Sequence, residues 1–302
     1  MIKIWFENFW GGNCSFNNCD NVFTKSLKKY YDIKVTNISP DILFHYQWKG
    51  RGDKKFNCVK IGYIGENRRP NFDIYDYVLS NDYLNDERHF RYPVWRYFID
   101  EYSSIKKLTE KNITKKDLKK ENFCAYVVSS VGKGIRDNFF RKLSKYKFID
   151  SYGKSQNNKP DLLKIKNTCF RQPKIDLLRK KKYKFVITFE NNSYPGYLTE
   201  KMVDAMEAKV IPIYWGDKYV DKDFNTNSII NYYDFPNEKE MIDYIIELDN
   251  NSEMYNEKLK QPWFLNKHIR KHLKTNNLDV FLQQIVKNIE AKKRRLETQS
   301  FF

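Results

Sequence analysis

Residues Lys184 to Asp217 read KFVITFENNSYPGYLTEKMVDAMEAKVIPIYWGD, and this pattern decides the fold. Phe185–Phe189 is a short run of β-branched and aromatic residues, as expected for a buried strand. A polar loop of Asn, Ser, Pro and Gly follows, and then a segment of good helix formers that Thr199 can cap. Val210–Trp215 is a second apolar run. Two short strands joined by a helix predict a βαβ unit with parallel pairing and a right-handed connection.

The loop of this unit is a candidate anion site. Ligands of open α/β sheets bind beyond the carboxyl ends of the strands, where helix N-termini also point. A helix starting near Thr199 offers free N–H groups and the positive end of its dipole. Glu200 and Lys201 fall in its first turn, where a lysine can hold a phosphate and a carboxylate can accept from sugar hydroxyls. On spacing alone, an ordinary βα turn with solvated charges explains the pattern equally well.

The segment FENNSYPGYLTEKMVDAMEAKVIPIYWGD resembles the donor-binding signature of the bacterial-type α-1,3-fucosyltransferases, glycosyltransferase family 10. Two upstream segments resemble the same family: GYIGENRRPNFDIYDY at Gly62–Tyr77 and IRDNFF at Ile135–Phe140. In order and spacing the three cover roughly residues 60 to 235 of the chain. The resemblance implies an α/β fold of the GT-B type, with two Rossmann-like domains facing a central cleft.

The alternation of short strands and helices agrees with a Rossmann-like domain at the start of the chain. We predict that residues 1–110 form the acceptor-binding domain and residues 111–302 the GDP-fucose-binding domain. The amphipathic segment Val280–Leu296 is expected to close the second domain, although its basic end could also lie on a membrane. Lys106–Lys120 lacks a clear apolar face and is interpreted as a linker.

The resemblance also assigns roles to individual residues. Glu66, just past a predicted strand, would be the general base that takes a proton from the acceptor hydroxyl. Arg136, in the first turn of a predicted helix, would bind the pyrophosphate. The remaining donor-side residues would contact the diphosphate (Thr199, Lys201) or the ribose and fucose hydroxyls (Asn191, Tyr197, Glu200). From the residues alone, Glu66 would instead be a surface carboxylate paired with Arg68 or Arg69, and Arg136 a surface arginine.

By the same resemblance, the expected reaction moves L-fucose from GDP-β-L-fucose to the 3-hydroxyl of N-acetylglucosamine. The acceptor would be an oligosaccharide or glycoconjugate of the Galβ1,4-GlcNAc type, giving a Lewis x-type product with inversion at the anomeric carbon. An α-1,4 or dual α-1,3/4 specificity is the alternative. No divalent metal or other cofactor is expected to be required.

Composition restricts the alternatives. The 302 residues carry a formal net charge of +17, which favours an anionic partner. A basic nucleic-acid-binding protein is the competing class, but the charge lies in separate runs and no nucleic-acid-binding motif is present, so no nucleic-acid partner is expected. The five cysteines fit free thiols in a reducing compartment. With no visible signal or spanning segment, the expected location is the cytoplasm, with peripheral membrane contact through the basic C-terminal helix as a further option.

Three metal-like patterns are interpreted as something else. Asp221–Lys222–Asp223 has the DxD form that many glycosyltransferases use for a metal–nucleotide complex, yet it follows the PIYWG strand too closely. His268 and His272 would share a helix face, and we expect a solvated pair. Cys14 and Cys19 lack CxxC spacing and nearby histidines. No metal site is predicted at any of the three.

Overall fold

The computed structural model describes residues 1–9, 17, 20–47, 56–129, 134–159, 171–268 and 276–299. The chain divides into two compact units, Met1–Glu101 with His272–Phe302, and Tyr102–Lys271. Each unit contains a parallel sheet with helices, so the predicted α/β class is confirmed.

The first unit is built on a sheet whose described strands run in the order β2-β1-β3-β4-β5-β6, all parallel. Its elements are β1 (Ile2–Glu7), α1 (Val22–Lys28), β2 (Ile33–Val35), β3 (Ile42–Tyr46), β4 (Val59–Ile64), β5 (Tyr77–Ser80), β6 (His89–Arg91) and α2 (Val94–Tyr102). Every residue of β3 is buried, as expected for a central parallel strand covered on both faces. The core is strongly aromatic, and Phe6, Phe23 and Phe44 stack on one another within it.

The second unit is built on a parallel sheet with the described order β11-β10-β9-β7-β8. Its elements are α3 (Ile105–Thr109), α4 (Lys115–Leu118), β7 (Asn122–Tyr126), α5 (Ile135–Leu143), β8 (Ile149–Ser151), α6 (Arg171–Lys180), β9 (Tyr183–Ile187), α7 (Glu200–Glu207), β10 (Ile211–Tyr214), β11 (Ile230–Asn231), α8 (Glu238–Asn250) and α9 (Ser252–Lys260). The predicted βαβ unit is confirmed as β9, α7 and β10, with Ile211 paired to Phe185.

The C-terminal helix α10 (Asn276–Gln299) was predicted to close the second domain, but it belongs to the first unit. Leu282, Ile285 and Val286 are buried in the core of the first unit. Lys29, next to α1, forms an ion pair with Asp279 at 2.8 Å. Residues 272–302 therefore belong to the first compact unit, whereas the sequence placed them in the second domain. The apolar face of α10 therefore helps to cover the first sheet, as a layered α/β unit requires.

Lys106–Lys120 is not the predicted linker, because it contains most of α3 and all of α4. Ile105 and Leu108 are buried, and they give α3 the apolar face that the basic run conceals. Thr114 and Asp117 form a capping box at the start of α4. Within the described residues, the structure contains no helix that is both long enough and apolar enough to cross a lipid bilayer.

Candidate functional site

The donor-side residues meet at the carboxyl ends of β7 and β9, which are neighbours in the second sheet. In chain order within this unit the described strands lie as 2-1-3-4-5, so the connections diverge between β7 and β9. Such a switch point opens a crevice where doubly wound folds bind their ligands. Helices α5 and α7 both begin here, and they carry Arg136 and Lys201 in their first turns.

Glu190 lies at the centre of this site, although the sequence analysis assigned it no role. Its side chain is fully buried and accepts from both the backbone N–H (2.8 Å) and the hydroxyl (2.9 Å) of Thr199. The ammonium of Lys201 lies 2.9 Å from the second carboxylate oxygen and 2.8 Å from the Thr199 hydroxyl. One buried carboxylate therefore fixes both the start of α7 and the lysine that projects from it.

Thr199 occupies the N-cap position that the sequence predicted, but its side chain does not cap the helix. Its hydroxyl bonds to Glu190 instead of bonding to a backbone N–H of the first turn. A capping residue was predicted because threonine commonly satisfies an N–H two or three residues ahead. Here the buried charge of Glu190 competes successfully for that hydroxyl, since bonds to an ionised group are the stronger ones.

Gly216, which follows β10, fits closely behind Glu190. A Cβ at this position would lie 2.7 Å from Cγ of Glu190 and 2.6 Å from the Tyr214 hydroxyl. The backbone N–H of Glu190 donates to the Trp215 carbonyl at 2.8 Å, which holds the two strand ends together. The glycine of PIYWG is thus required by close packing against the buried carboxylate.

The charges of the site are strongly coupled. Burial lowers the pKa of the Lys201 ammonium, but the carboxylates of Glu190 and Glu200 outweigh it and raise that pKa above its ordinary value. The positive charge of Arg136 lowers the pKa of Lys201 by repulsion, so the guanidinium lies near the ammonium. Burial raises the pKa of Glu200, whereas Lys201 and Lys174 lower it, and the net pKa is below the usual range. The Lys201 ammonium therefore stays charged at neutral pH.

The first turn of α5 is anchored by Asp137, the residue after Arg136. Its buried carboxylate accepts at 2.6 Å from the hydroxyl of Tyr126, at the end of β7, and at 2.6 Å from the hydroxyl of Ser155. Arg136 itself is half-buried. The anchor fixes the helix backbone from which the guanidinium projects.

The loop between β9 and α7 contains the remaining predicted contacts. Asn191 is exposed, whereas Tyr197 has only 2% of its surface exposed. The loop is tied to the end of β10, because the Ser193 hydroxyl lies 2.7 Å from the Gly216 carbonyl and 2.7 Å from the hydroxyl of Tyr233. Asn191 thus lies at the surface, whereas Tyr197 is buried within the loop.

Glu66 belongs to the first unit and follows Gly65 at the carboxyl end of β4, as predicted. It is half-buried, and its carbonyl accepts from the N–H of Arg68 at 2.7 Å. Arg69, one of the two arginines considered as its partner, forms an ion pair with Asp82. A carboxylate on a strand-end loop is well suited to accept a proton from a bound hydroxyl.

The metal-like patterns do not assemble a metal site in the part of the chain that the structure describes. Asp223 is buried whereas Asp221 is exposed. His268 is buried rather than solvated as expected: its Nδ1 accepts from the N–H of Leu265 at 3.1 Å, and its Nε2 lies 2.8 Å from the carbonyl of Asp221. His272, Cys14 and Cys19 lie outside the described residues.

One signal could have identified Glu190 from the sequence. It is the charged residue of FEN, which directly follows an apolar strand and precedes a polar loop. Acidic side chains are rarely buried unless they are paired, so a glutamate at the end of a buried strand indicates a cationic partner. The partner is Lys201, eleven residues further on, and only the return of the chain into α7 brings the two together.

Both the amino-terminal and the carboxyl-terminal parts of this chain match known protein families. Residues 117–299 match the family described as "Glycosyltransferase family 10 (fucosyltransferase) C-term", and residues 4–98 match the "Alpha-(1,3)-fucosyltransferase FucT N-terminal domain". The alpha-(1,3)-fucosyltransferase FucT of Helicobacter pylori is 30% identical over 290 residues, covering 84% of this chain. This chain spans only 58% of the length of that relative.

Solved structures give the same result for the fold. A crystal structure of an alpha1,3-fucosyltransferase with GDP is similar with a TM-score of 0.72 and 27% identity, covering 95% of this chain and 90% of the other. A crystal structure described as alpha1,3-fucosyltransferase with GDP-fucose is similar with a TM-score of 0.70 and 27% identity, covering 94% of this chain and 90% of the other.

Proposed function

This chain belongs to glycosyltransferase family 10, and we propose that it transfers L-fucose from GDP-β-L-fucose to a sugar hydroxyl. The observation that carries the proposal is the pair of cations, Arg136 and Lys201, at the starts of two adjacent helices at one switch point. Two fixed positive charges beside helix N-termini suit a diphosphate better than any neutral ligand. The solved fucosyltransferases with GDP and with GDP-fucose support a guanosine diphosphate donor.

In this mechanism the cations act on the leaving group. As the bond between the anomeric carbon and the diphosphate breaks, the electron pair stays on the phosphate oxygen, and negative charge grows there. Arg136 and Lys201 would stabilise that charge, and Glu190 would keep the lysine in place. Preorganised charges of this kind commonly provide the largest single contribution to catalysis.

The acceptor hydroxyl is activated by Glu66. Its carboxylate takes the hydroxyl proton while the oxygen attacks the anomeric carbon from the face opposite GDP. The new C–O bond forms as the old one breaks, so the configuration inverts in one displacement. Proton transfer of this kind contributes about 100- to 10,000-fold in rate.

For the acceptor, we infer the 3-hydroxyl of N-acetylglucosamine in a Galβ1,4-GlcNAc unit. The name of the Helicobacter pylori relative supports the α-1,3 linkage. Transfer to a 4-hydroxyl is the alternative, and NMR of the purified product distinguishes the two linkages. We also infer that no divalent metal is required, so transfer should continue in excess EDTA.

Calorimetric titration with GDP, UDP and single-stranded DNA tests the donor proposal first. GDP should bind well above UDP, and Arg136→Ala should remove that binding. Tight, salt-sensitive binding of DNA with no response to GDP would overturn the proposal. Glu66→Ala should then abolish transfer to N-acetyllactosamine while leaving GDP affinity nearly intact, and a variant that keeps most of its turnover would exclude Glu66 as the base.

A further inference from the structure

A polar network of one exposed arginine and three buried residues lies beside the predicted base, near the end of β5 and the start of β6. Asp82 is at its centre, with its side chain only 4% exposed. Its carboxylate accepts from a terminal nitrogen of Arg69 and from the Ser80 hydroxyl, the latter at 2.8 Å. The Ser80 hydroxyl also lies 2.9 Å from Nε2 of His89. We call these four residues, Arg69, Asp82, Ser80 and His89, the Asp82 network.

The network is connected to the loop that carries Glu66. The other terminal nitrogen of Arg69 donates to the side-chain oxygen of Asn67, the residue that follows Glu66. The N–H of Arg68 donates to the Glu66 carbonyl at 2.7 Å, which tightens the turn between them. The loop is thereby joined to the end of β5 through one guanidinium.

The start of the same loop is fixed independently. Asn81 donates from its side chain to the Ile64 carbonyl at 3.2 Å and accepts from the Val94 N–H at 3.2 Å. Gly65 packs so closely that a Cβ would lie 2.9 Å from the Tyr46 hydroxyl. The strand end is thus held at Gly65, and the Arg69–Asp82 pair ties the far side of the Glu66 turn to the segment that follows β5.

A nearby ion pair shows what an ordinary surface contact looks like in this unit. Arg88 and Asp86 lie 3.0 Å apart, with 45% and 29% of their side chains exposed, and they are two residues apart in one turn. That pair stabilises little and connects no separate elements. In the Arg69–Asp82 pair the arginine is similarly exposed, at 40%, but the carboxylate is buried, so loss of Arg69 leaves a buried acceptor without its cation.

We propose that Arg69 and Asp82 are positioning residues for the transfer reaction, which hold the Glu66 turn so that its carboxylate meets the acceptor hydroxyl. The inference rests on the proposed function, in which Glu66 removes the acceptor proton. The carboxylate oxygen of a general base must come within about 3 Å of the oxygen whose proton it accepts. Displacement by about 1 Å can cost about 100-fold in rate.

The test compares Asp82→Asn, Arg69→Gln, the double variant and the matched control Arg88→Gln in the full chain. GDP-fucose and N-acetyllactosamine are the substrates, with GDP affinity and the unfolding temperature measured alongside. We expect Asp82→Asn and Arg69→Gln to lower kcat about 10- to 100-fold with GDP affinity unchanged within about twofold. The double variant should be no worse than the poorer single one. Arg88→Gln should match the wild type, and Arg69→Lys should recover part of the loss.

Two results would overturn the inference. The first is wild-type kcat in Arg69→Gln, which changes a partly exposed residue and so remains informative if Asp82→Asn fails to fold. The second is a loss of kcat that is always accompanied by weaker GDP binding and a lower unfolding temperature, since that pattern belongs to a purely structural contact. Glu66→Gln distinguishes a failure of the proposed role of Glu66 from a failure of the inference about Arg69 and Asp82. An active Glu66→Gln removes the base assignment and the inference together, whereas an inactive Glu66→Gln beside a normal Asp82→Asn removes only the inference.

Discussion

Replacing Glu190 by glutamine should destabilise the second unit far more than its small change in shape suggests. The side chain is fully buried and accepts from the N–H and hydroxyl of Thr199 and from the ammonium of Lys201. Glutamine can still accept from Thr199, but its NH₂ group would face Thr199 and Lys201, which act as hydrogen-bond donors here. Lys201 then loses the carboxylate to which it is directly bonded, while most of its side chain remains buried.

The magnitude follows from that geometry. Breaking a fully buried ion pair by removing one partner costs about 3–5 kcal/mol. The Lys201 side chain is 22% exposed, so solvent recovers part of this and we expect about 2–3 kcal/mol. For a unit of this size that corresponds to about 4–12 °C in unfolding temperature.

Urea unfolding of full-length variants, followed by a probe in the second unit, measures the effect. Glu121→Gln is the matched control, because Glu121 forms an exposed pair with Lys182 in the same unit and should lose at most about 0.5 kcal/mol. Removing both charges in Glu190→Gln with Lys201→Met should restore part of the stability, since neither member of the Glu190–Lys201 pair is then left without the other. A Glu190→Gln variant as stable as the control, or a double variant that loses the sum of both single effects, would refute the reasoning.

Three further predictions concern single sites. Lys201→Ala should weaken GDP binding about 10- to 100-fold by calorimetry, because a charge-assisted phosphate contact is lost, and unchanged affinity would contradict that contact. Gly216→Ala should lower the free energy of unfolding by about 1–3 kcal/mol through overpacking, whereas Gly134→Ala, which has open space around its Cβ position, should change it little. Burial holds the pKa of His89 below its ordinary value, so between that lowered pKa and about 6.5 the unfolded chain binds a proton that the folded chain does not. Stability should therefore fall as pH drops from about 7 through this window, and His89→Gln should flatten the slope in urea titrations at successive pH values.

Much of the fold could be predicted because local pattern determines it. The strands Ile33–Val35, Ile42–Tyr46 and Val59–Ile64 are recognisable from sequence alone, since each is a short segment rich in β-branched and aromatic residues. The buried face of α8, formed by Met241, Ile245 and Leu248, follows directly from helical spacing.

The failures share a different physical cause. Helix α10 was assigned to the wrong unit because its amphipathic pattern shows that it buries a face but not which sheet it covers. Glu190 went unrecognised because its role depends on a partner brought close by the crossover into α7. The sequence gives no sign of the role of Asp82 for the same reason, since its partner Arg69 comes from the preceding strand-end loop. Pairings set by tertiary structure leave no periodic signal in the sequence.

The division of the chain has a consequence for its synthesis. The first unit contains both the beginning and the end of the chain, and the second unit is inserted between them. On the ribosome, residues 102–271 emerge complete while the sheet of the first unit still lacks α10. Because domains generally fold as units during translation, the inserted unit can finish first, and the first unit keeps an apolar face uncovered until α10 emerges. That interval is when a chaperone would be most useful to this protein, and chains interrupted before α10 should be the ones that aggregate.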